Sequence, residues 1–139
     1  WCTYLGWATP HDPYSIPEDY ADRIDLSTVE LPPNFRDDMS DRPRIYTRQR
    51  QHLWDQLDPE QCRISIARFW ALCAMQDDFL GMILDALEET GQAGNTIVIF
   101  TSDHGEMLGE HGMWWKSTFY DGACRVPLLV SSPGRAVPS

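Results

Sequence analysis

The chain has 139 residues, 42% of them hydrophobic, which suits one modest domain with a real core and excludes a disordered chain. Eleven basic against 21 acidic residues give a formal net charge of -10, which argues against nucleic acid as a partner. No apolar run approaches the ~20 residues of a membrane span; besides residues 69–75, the longer ones cover residues 97–100 and 126–130.

The chain opens at Trp1 without an initiator methionine and is expected to be a processed or excised piece of something larger. No basic segment precedes an apolar one, so no signal peptide is visible. Residues 1–8 (W-C-T-Y-L-G-W-A) are aromatic-rich and predict a buried strand. Two prolines in Thr9-Pro10-His11-Asp12-Pro13-Tyr14 end it. His11 is therefore expected on a stiff loop just beyond a strand end. Residues 15–57 read as an excursion over the surface, with Ile24, Leu26, Val29 and Leu31 touching the core. Within it, 44–57 reads as a short helix or an ordered loop.

Asp58-Pro59-Glu60 is a helix start, with an N-capping carboxylate, a first-turn proline and a first-turn acid. Ile66, Phe69, Trp70, Cys73, Leu80, Ile83, Leu84 and Leu87 recur at spacings of three and four and predict one buried stripe. Gly91 closes this helix. Residues 97–101 (I-V-I-F-T) predict a strand buried on both faces, as in a parallel sheet. Helix then strand is half of an α/β crossover. Residues 125–131 (R-V-P-L-L-V-S) predict a further strand, with Pro127 at an edge or strand start, and Pro133-Gly134 a turn. No pair among Cys2, Cys62, Cys73 and Cys124 has C-x-x-C spacing, and Cys62 and Cys73 read as small apolar helix residues.

In an open α/β sheet, ligands bind beyond the carboxyl ends of the strands. Two predicted strands end in polar loops, one bearing His11 and the other Ser102-Asp103-His104-Gly105-Glu106. Asp103 and His104 can face one cation across a tight loop, with Gly105 letting the backbone turn. They can equally cap the next turn and bond to backbone. Lys116, in W-W-K-S-T, has two readings: surface charge with its stem on an indole, or an ammonium for a sulfate or phosphate oxygen. His111 either lines the same pocket or serves a turn. His52, Glu106 and Glu110 read as exposed or solvated. An acidic chain that binds an anionic ester must reverse its field locally, which a divalent cation with a few His and Lys residues accomplishes.

Residues 95–116, N-T-I-V-I-F-T-S-D-H-G-E-M-L-G-E-H-G-M-W-W-K, resemble the later signature of the sulfatase family, within the alkaline phosphatase superfamily. P-H-D-P-Y (10–14) resembles that family's His-bearing loop. F-L-G-M-I-L-D-A-L-E-E-T-G (79–91) resembles the helix before its D-H-G strand, and R-V-P-L-L-V-S-S-P-G (125–134) the strand after its lysine. D-H-G alone would be weak; the ordered set with matching spacing is specific.

The resemblance implies an α/β fold, part of an alkaline-phosphatase-like αβα sandwich with a mostly parallel central sheet. Residues 1–139 would be a partial catalytic domain, with 15–57 as excursion and 58–134 as helix, D-H-G strand-loop and following strand. Asp103 and His104 would ligate one divalent cation, calcium first, with manganese or magnesium as alternatives. Lys116 would bind the ester's anionic oxygens. His11 would contact the sulfate and act as general acid, and His111 would line the substrate pocket. The family's nucleophile is formylglycine, made from Cys or sometimes Ser in C/S-x-P-x-R. No cysteine here is followed by that pattern, and the paired aspartates of the family's N-terminal part are missing. Both are expected upstream of residue 1, so the isolated piece should be inactive. The implied partner is a small-molecule or glycan sulfate ester, with self-association through unpaired sheet edges. A phosphate or phosphonate ester hydrolase, and a non-catalytic domain of this fold, are the competing readings.

Overall fold

The computed structural model describes residues 1–134; the last five of the expected 1–139 domain lie outside the described residues. In chain order it has α1 (Glu18–Ala21), α2 (Arg44–Leu53), α3 (Pro59–Glu89), β1 (Val98–Thr101), α4 (Asp121–Cys124) and β2 (Leu128–Ser131). Short 3-10 turns lie at Leu26–Thr28, Ala93–Asn95 and Glu110–Gly112.

Helix α3 starts where its capping residues put it. The Asp58 carboxylate accepts the Gln61 N–H at 2.8 Å, and the Gln61 side-chain oxygen accepts the Asp58 N–H at 3.0 Å. That reciprocal pair satisfies two otherwise orphaned donors. At the far end Gly91 adopts φ +68, a conformation that favours glycine. The Gly91 N–H then bonds Glu88 O and the Gln92 N–H bonds Leu87 O, a Schellman closure.

The buried side of α3 is rotated from the expected stripe. Cys62, Ile66, Ala71, Leu72, Met75 and Gln76 are buried, whereas Trp70, Cys73 and Leu84 are exposed. Around residues 66–73 the helix is apolar on several sides, so periodicity alone does not select the face that packs.

Strand β1 forms as expected, but its surroundings differ. It pairs antiparallel with β2, Val98 opposite Ser131 and Thr101 opposite Leu128. The connection between them, residues 102–127, is long but carries no crossover helix of the kind a parallel return usually uses: its regular elements are the 3-10 turn Glu110–Gly112 and the four-residue α4. Ile99 and Leu129 remain more than 60% exposed, so the strand is not buried on both faces within the described residues. Residues 1–8 form no strand. Trp1 and Tyr4 are over 80% exposed, and the Trp1 indole N–H reaches Gln92 Oε1 at 2.9 Å. With no strand beside them, their β-prone side chains have no pleated surface to fit.

The core lies between α3, the excursion and the 102–116 loop. Val29, Met39 and Trp54 come from the excursion, Cys62 and Ile66 from α3, and Met107, Met113 and Trp114 from the loop. Ile24 and Leu31 pack against this core as expected; Leu26 is 39% exposed. The ambiguous 44–57 stretch is helical as α2. Its Arg50 spans the excursion, donating to Asp37 O and His111 O and pairing with Asp55 at 2.9 Å. Helix α1 is tied to α3 through Asp78, which accepts from Tyr20 Oη and Arg23, each at 2.9 Å.

Four carboxyls are held below their ordinary range by such bonds: Asp25 by the Ser27 hydroxyl and N–H, Asp37 by the Met39 N–H and then His111, Asp38 by Ser40, and Asp78 by Tyr20 and then Arg23. A depressed carboxyl contributes stability that is complete above its unfolded value and lost as pH falls through its folded value. The urea midpoint is expected to fall as pH drops from about 5 to about 2, with Asp78→Asn flattening part of that slope. A constant midpoint across that range would contradict these assignments.

Candidate active site

Two loops meet. His11 and Lys116 are 105 residues apart in sequence, yet Lys116 Nζ lies 2.5 Å from His11 Nε2. His11 Nδ1 lies 2.9 Å from Asp12 O and 3.1 Å from Asp12 Oδ1. This pattern assigns the His11 proton to Nδ1, donating to Asp12, and leaves Nε2 to accept from the ammonium. The sequence signal for Asp12 is its adjacency to His11 alone. The loop that carries His11 is anchored to α3: buried Gln76 donates to Thr9 O at 2.8 Å and to the Thr9 hydroxyl.

The second loop carries Asp103 and His104. His104 Nδ1 donates to Gly105 O at 2.7 Å, which turns the Nε2 lone pair outward. That Nε2 is 3.8 Å from Asp103 Oδ1, and the Asp103 side chain is 89% exposed. The His104 ring stands edge-on to His11, with centroids 5.7 Å apart. His11, Lys116, Asp103 and His104 are thus brought together. Lys116 is the single lysine of the chain, so ten of its eleven permanent cations are arginines.

His111 is engaged with other partners. Its Nδ1 bonds Asp37 Oδ2 at 2.7 Å, its Nε2 lies 3.3 Å from Asn34 Nδ2, and its ring stacks on Tyr120 at 4.3 Å.

Backbone geometry explains how this loop is held. Gly105 lies flat against α4: its N–H bonds Ala123 O at 2.8 Å, and a Cβ there would fall 2.1 Å from Gly122 O. Close approach, rather than a special φ, is the reason for glycine. Trp115 has φ +68, a left-handed conformation that costs a non-glycine residue about 1–2 kcal/mol. It is held on three sides. Its N–H bonds Glu106 Oε1, its carbonyl accepts the Met107 N–H at 3.0 Å, and its ring packs edge-on against Trp54 at 5.5 Å. Glu106, expected to be solvated, is instead half-buried. Burial pushes its carboxyl up, opposed by the Trp115 and Leu108 N–H groups. The Tyr14 hydroxyl, buried nearby without a completed hydrogen bond, is likewise pushed up by burial and by the Glu106 charge. Nothing in the local spacing marks Glu106, because its partner is the backbone of a residue nine positions on.

A sequence model described as Sulfatase matches residues 1–138. The chain belongs to the sulfatase family. The choline-sulfatase of Rhizobium meliloti is 30% identical over 142 residues, 98% of this chain and 27% of that protein. The iduronate 2-sulfatase of Mus musculus is 34% identical over 148 residues, 96% of this chain and again 27% of that protein. Among solved structures, a phosphonate monoester hydrolase from Silicibacter pomeroyi superposes with a TM-score of 0.78 at 31% identity, covering 90% of this chain and 27% of that one. The chain therefore spans about a quarter of the length of the relatives it matches. The helix and strands are part of the α/β fold these sulfatase relatives share.

The sulfatase family implies a metal ion and a formylglycine. Asp103 and His104 suit part of a metal site: their facing donor atoms are closer than twice a calcium–ligand bond of roughly 2.4 Å, so one ion can reach both. Among the described residues no group of three or more His, Cys, Asp or Glu side chains completes it. No cysteine has the nucleophile spacing, but one serine does, in Ser131-Ser132-Pro133-Gly134-Arg135. Ser131 pairs with Val98, at the opposite end of β1 from the Asp103 loop, roughly 10 Å along the strand. That position is on the wrong end of the sheet for attack near Asp103.

Two glycines test the backbone argument. Gly105→Ala is expected to cost at least about 1–3 kcal/mol in denaturant unfolding, from the clash with Gly122 O. Gly81→Ala, in the α3 interior with open space around it, should stabilise by about 0.5–1 kcal/mol. Equal effects would refute the close approach at Gly105.

Proposed function

We propose that this chain is the part of a sulfatase catalytic domain that grips the anionic ester and delivers a proton to the departing alcohol. The carrying observation is Lys116 Nζ at 2.5 Å from His11 Nε2, beside the Asp103–His104 pair. Lys116 is the ammonium for the ester's anionic oxygens. When it turns to substrate, His11 Nε2 is released. With Nε2 protonated, and Nδ1–H still held by Asp12, that edge of the ring donates to the leaving oxygen as general acid.

Asp103 and His104 supply one carboxylate and one imidazole to a divalent cation, and the other ligands come from outside these residues. Calcium suits the oxygen donor, while the imidazole draws the choice toward manganese. Such an ion, when bound, supplies Lewis-acid polarisation of the ester. The nucleophile also lies outside these residues, so the isolated chain is expected to be without activity. Concentrating Lys116, His11 and a cation at one end of the sheet reverses the field of a chain whose net charge is -10.

A second reading, hydrolysis of phosphonate or phosphate monoesters, is favoured by the superposition on a phosphonate monoester hydrolase.

In the full-length protein, His11→Ala and Lys116→Ala should each lower kcat/KM for an aryl sulfate by about 10²–10³. Unchanged hydrolysis in both would sink the proposed roles. Parallel assays with an aryl sulfate and an aryl phosphonate monoester separate the two readings by which is cleaved with the higher kcat/KM.

A further inference from the structure

We infer that Glu106 is a positioning residue for Lys116, acting through the reach of its carboxylate to the Trp115 backbone rather than through its charge. The inference rests on the reading of Lys116 as the ester-binding ammonium.

Lys116 follows directly on the left-handed turn at Trp115 (φ +68). A non-glycine residue leaves that conformation unless its neighbours over-determine it. Glu106 Oε1 takes the Trp115 N–H, and the next residue, Met107, donates to the Trp115 carbonyl at 3.0 Å. Both polar groups of Trp115 are thus held by two consecutive residues. Those two residues begin two positions after His104. The clamp therefore fixes the metal-ligand side of the loop and the lysine side to one another. Met107 is fully buried, so the clamp is anchored in the core rather than floating with the loop.

The same carboxylate faces the 10–14 loop. Tyr14, three residues after His11, packs edge-on against Phe69 of α3 at 5.7 Å. Its buried hydroxyl lies beside Glu106, without full hydrogen-bond geometry to any group among the described residues. Glu106 thus sits where the segments carrying His11, His104 and Lys116 converge. A solvated glutamate would have no need of such neighbours. Among the described residues, neither Glu110, four residues on, nor any other acid makes the Trp115 bond.

Two substitutions separate reach from charge. Glu106→Asp keeps the carboxylate but is one methylene short of the Trp115 N–H. Glu106→Gln loses the charge but keeps an oxygen at the same reach. In the full-length protein, acylation of Lys116 by an amine-reactive ester, resolved by peptide mass mapping, reads the placement of the ammonium without needing activity. Alkylation of Cys62, which is 1% exposed, reads global opening in the same samples. Glu106→Asp should raise the Lys116 rate about tenfold with Cys62 unchanged, and Glu106→Gln should match the parent. In aryl ester hydrolysis Glu106→Asp should lose up to about 10²-fold in kcat/KM, and Glu106→Gln should retain it. The inference is overturned if the Lys116 rate in Glu106→Asp equals the parent's, if Cys62 opens in step with Lys116, or if Glu106→Gln is the more damaging change. A parent protein that hydrolyses neither ester overturns the proposed function, while the labelling comparison still decides the role of Glu106.

Discussion

Met107, Met113 and Trp114 are buried to 4% exposure or less, and the polar groups around them are placed by that burial. The middle of the loop between β1 and α4, residues 107–114, is drawn into the core rather than lying on the surface as loops usually do. It supplies a third wall of the core, against Cys62 and Ile66 of α3 and Val29, Met39 and Trp54 of the excursion. Each large apolar side chain removed from water contributes roughly 1.5–3 kcal/mol. A segment anchored at three such points cannot slide without exposing them. Asp103, His104 and Lys116 sit at the two ends of this anchored segment. Their separation is therefore a property of the core rather than of a flexible arm.

The same logic covers the histidine loop. Gln76, on the buried side of α3, binds the backbone at Thr9, and Tyr14 packs on Phe69. One helix thus supports both loops: Ile66 beneath the 102–116 segment, Phe69 and Gln76 beneath residues 9–14. This is how groups 105 positions apart reach hydrogen-bond distance. Electrostatics follow from the placement. Ten arginines are spread through the chain, while the single lysine and two of the four histidines gather at the site. An ammonium suits the proposed role, in which the group swings between an imidazole and an ester oxygen, since its three donors rotate freely.

What could be read from the sequence was what local chemistry decides. The Asp58 cap, the Gly91 closure and the existence of β1 depend on residues within one turn or one strand, and all are found. The D-H-G loop and the convergence of His11 with Lys116 were legible through an ordered set of motifs. What escaped depends on partners far along the chain. The face of α3 that packs is chosen by the excursion and the 102–116 loop, and its own apolar residues lie on several sides. Residues 1–8 have strand chemistry but no strand beside them. Glu106 looks like one more acid among 21 until the backbone of Trp115 is brought to it.

The central claim is that Asp103 and His104 hold one cation within reach of the Lys116–His11 pair. The most direct test is anomalous scattering from crystals of the full-length protein grown with manganese. The account predicts one strong peak within about 2.5 Å of both Asp103 Oδ1 and His104 Nε2, with the Nδ1–H bond to Gly105 O intact. A site elsewhere, with His104 Nε2 bonded to protein instead of metal, would contradict it.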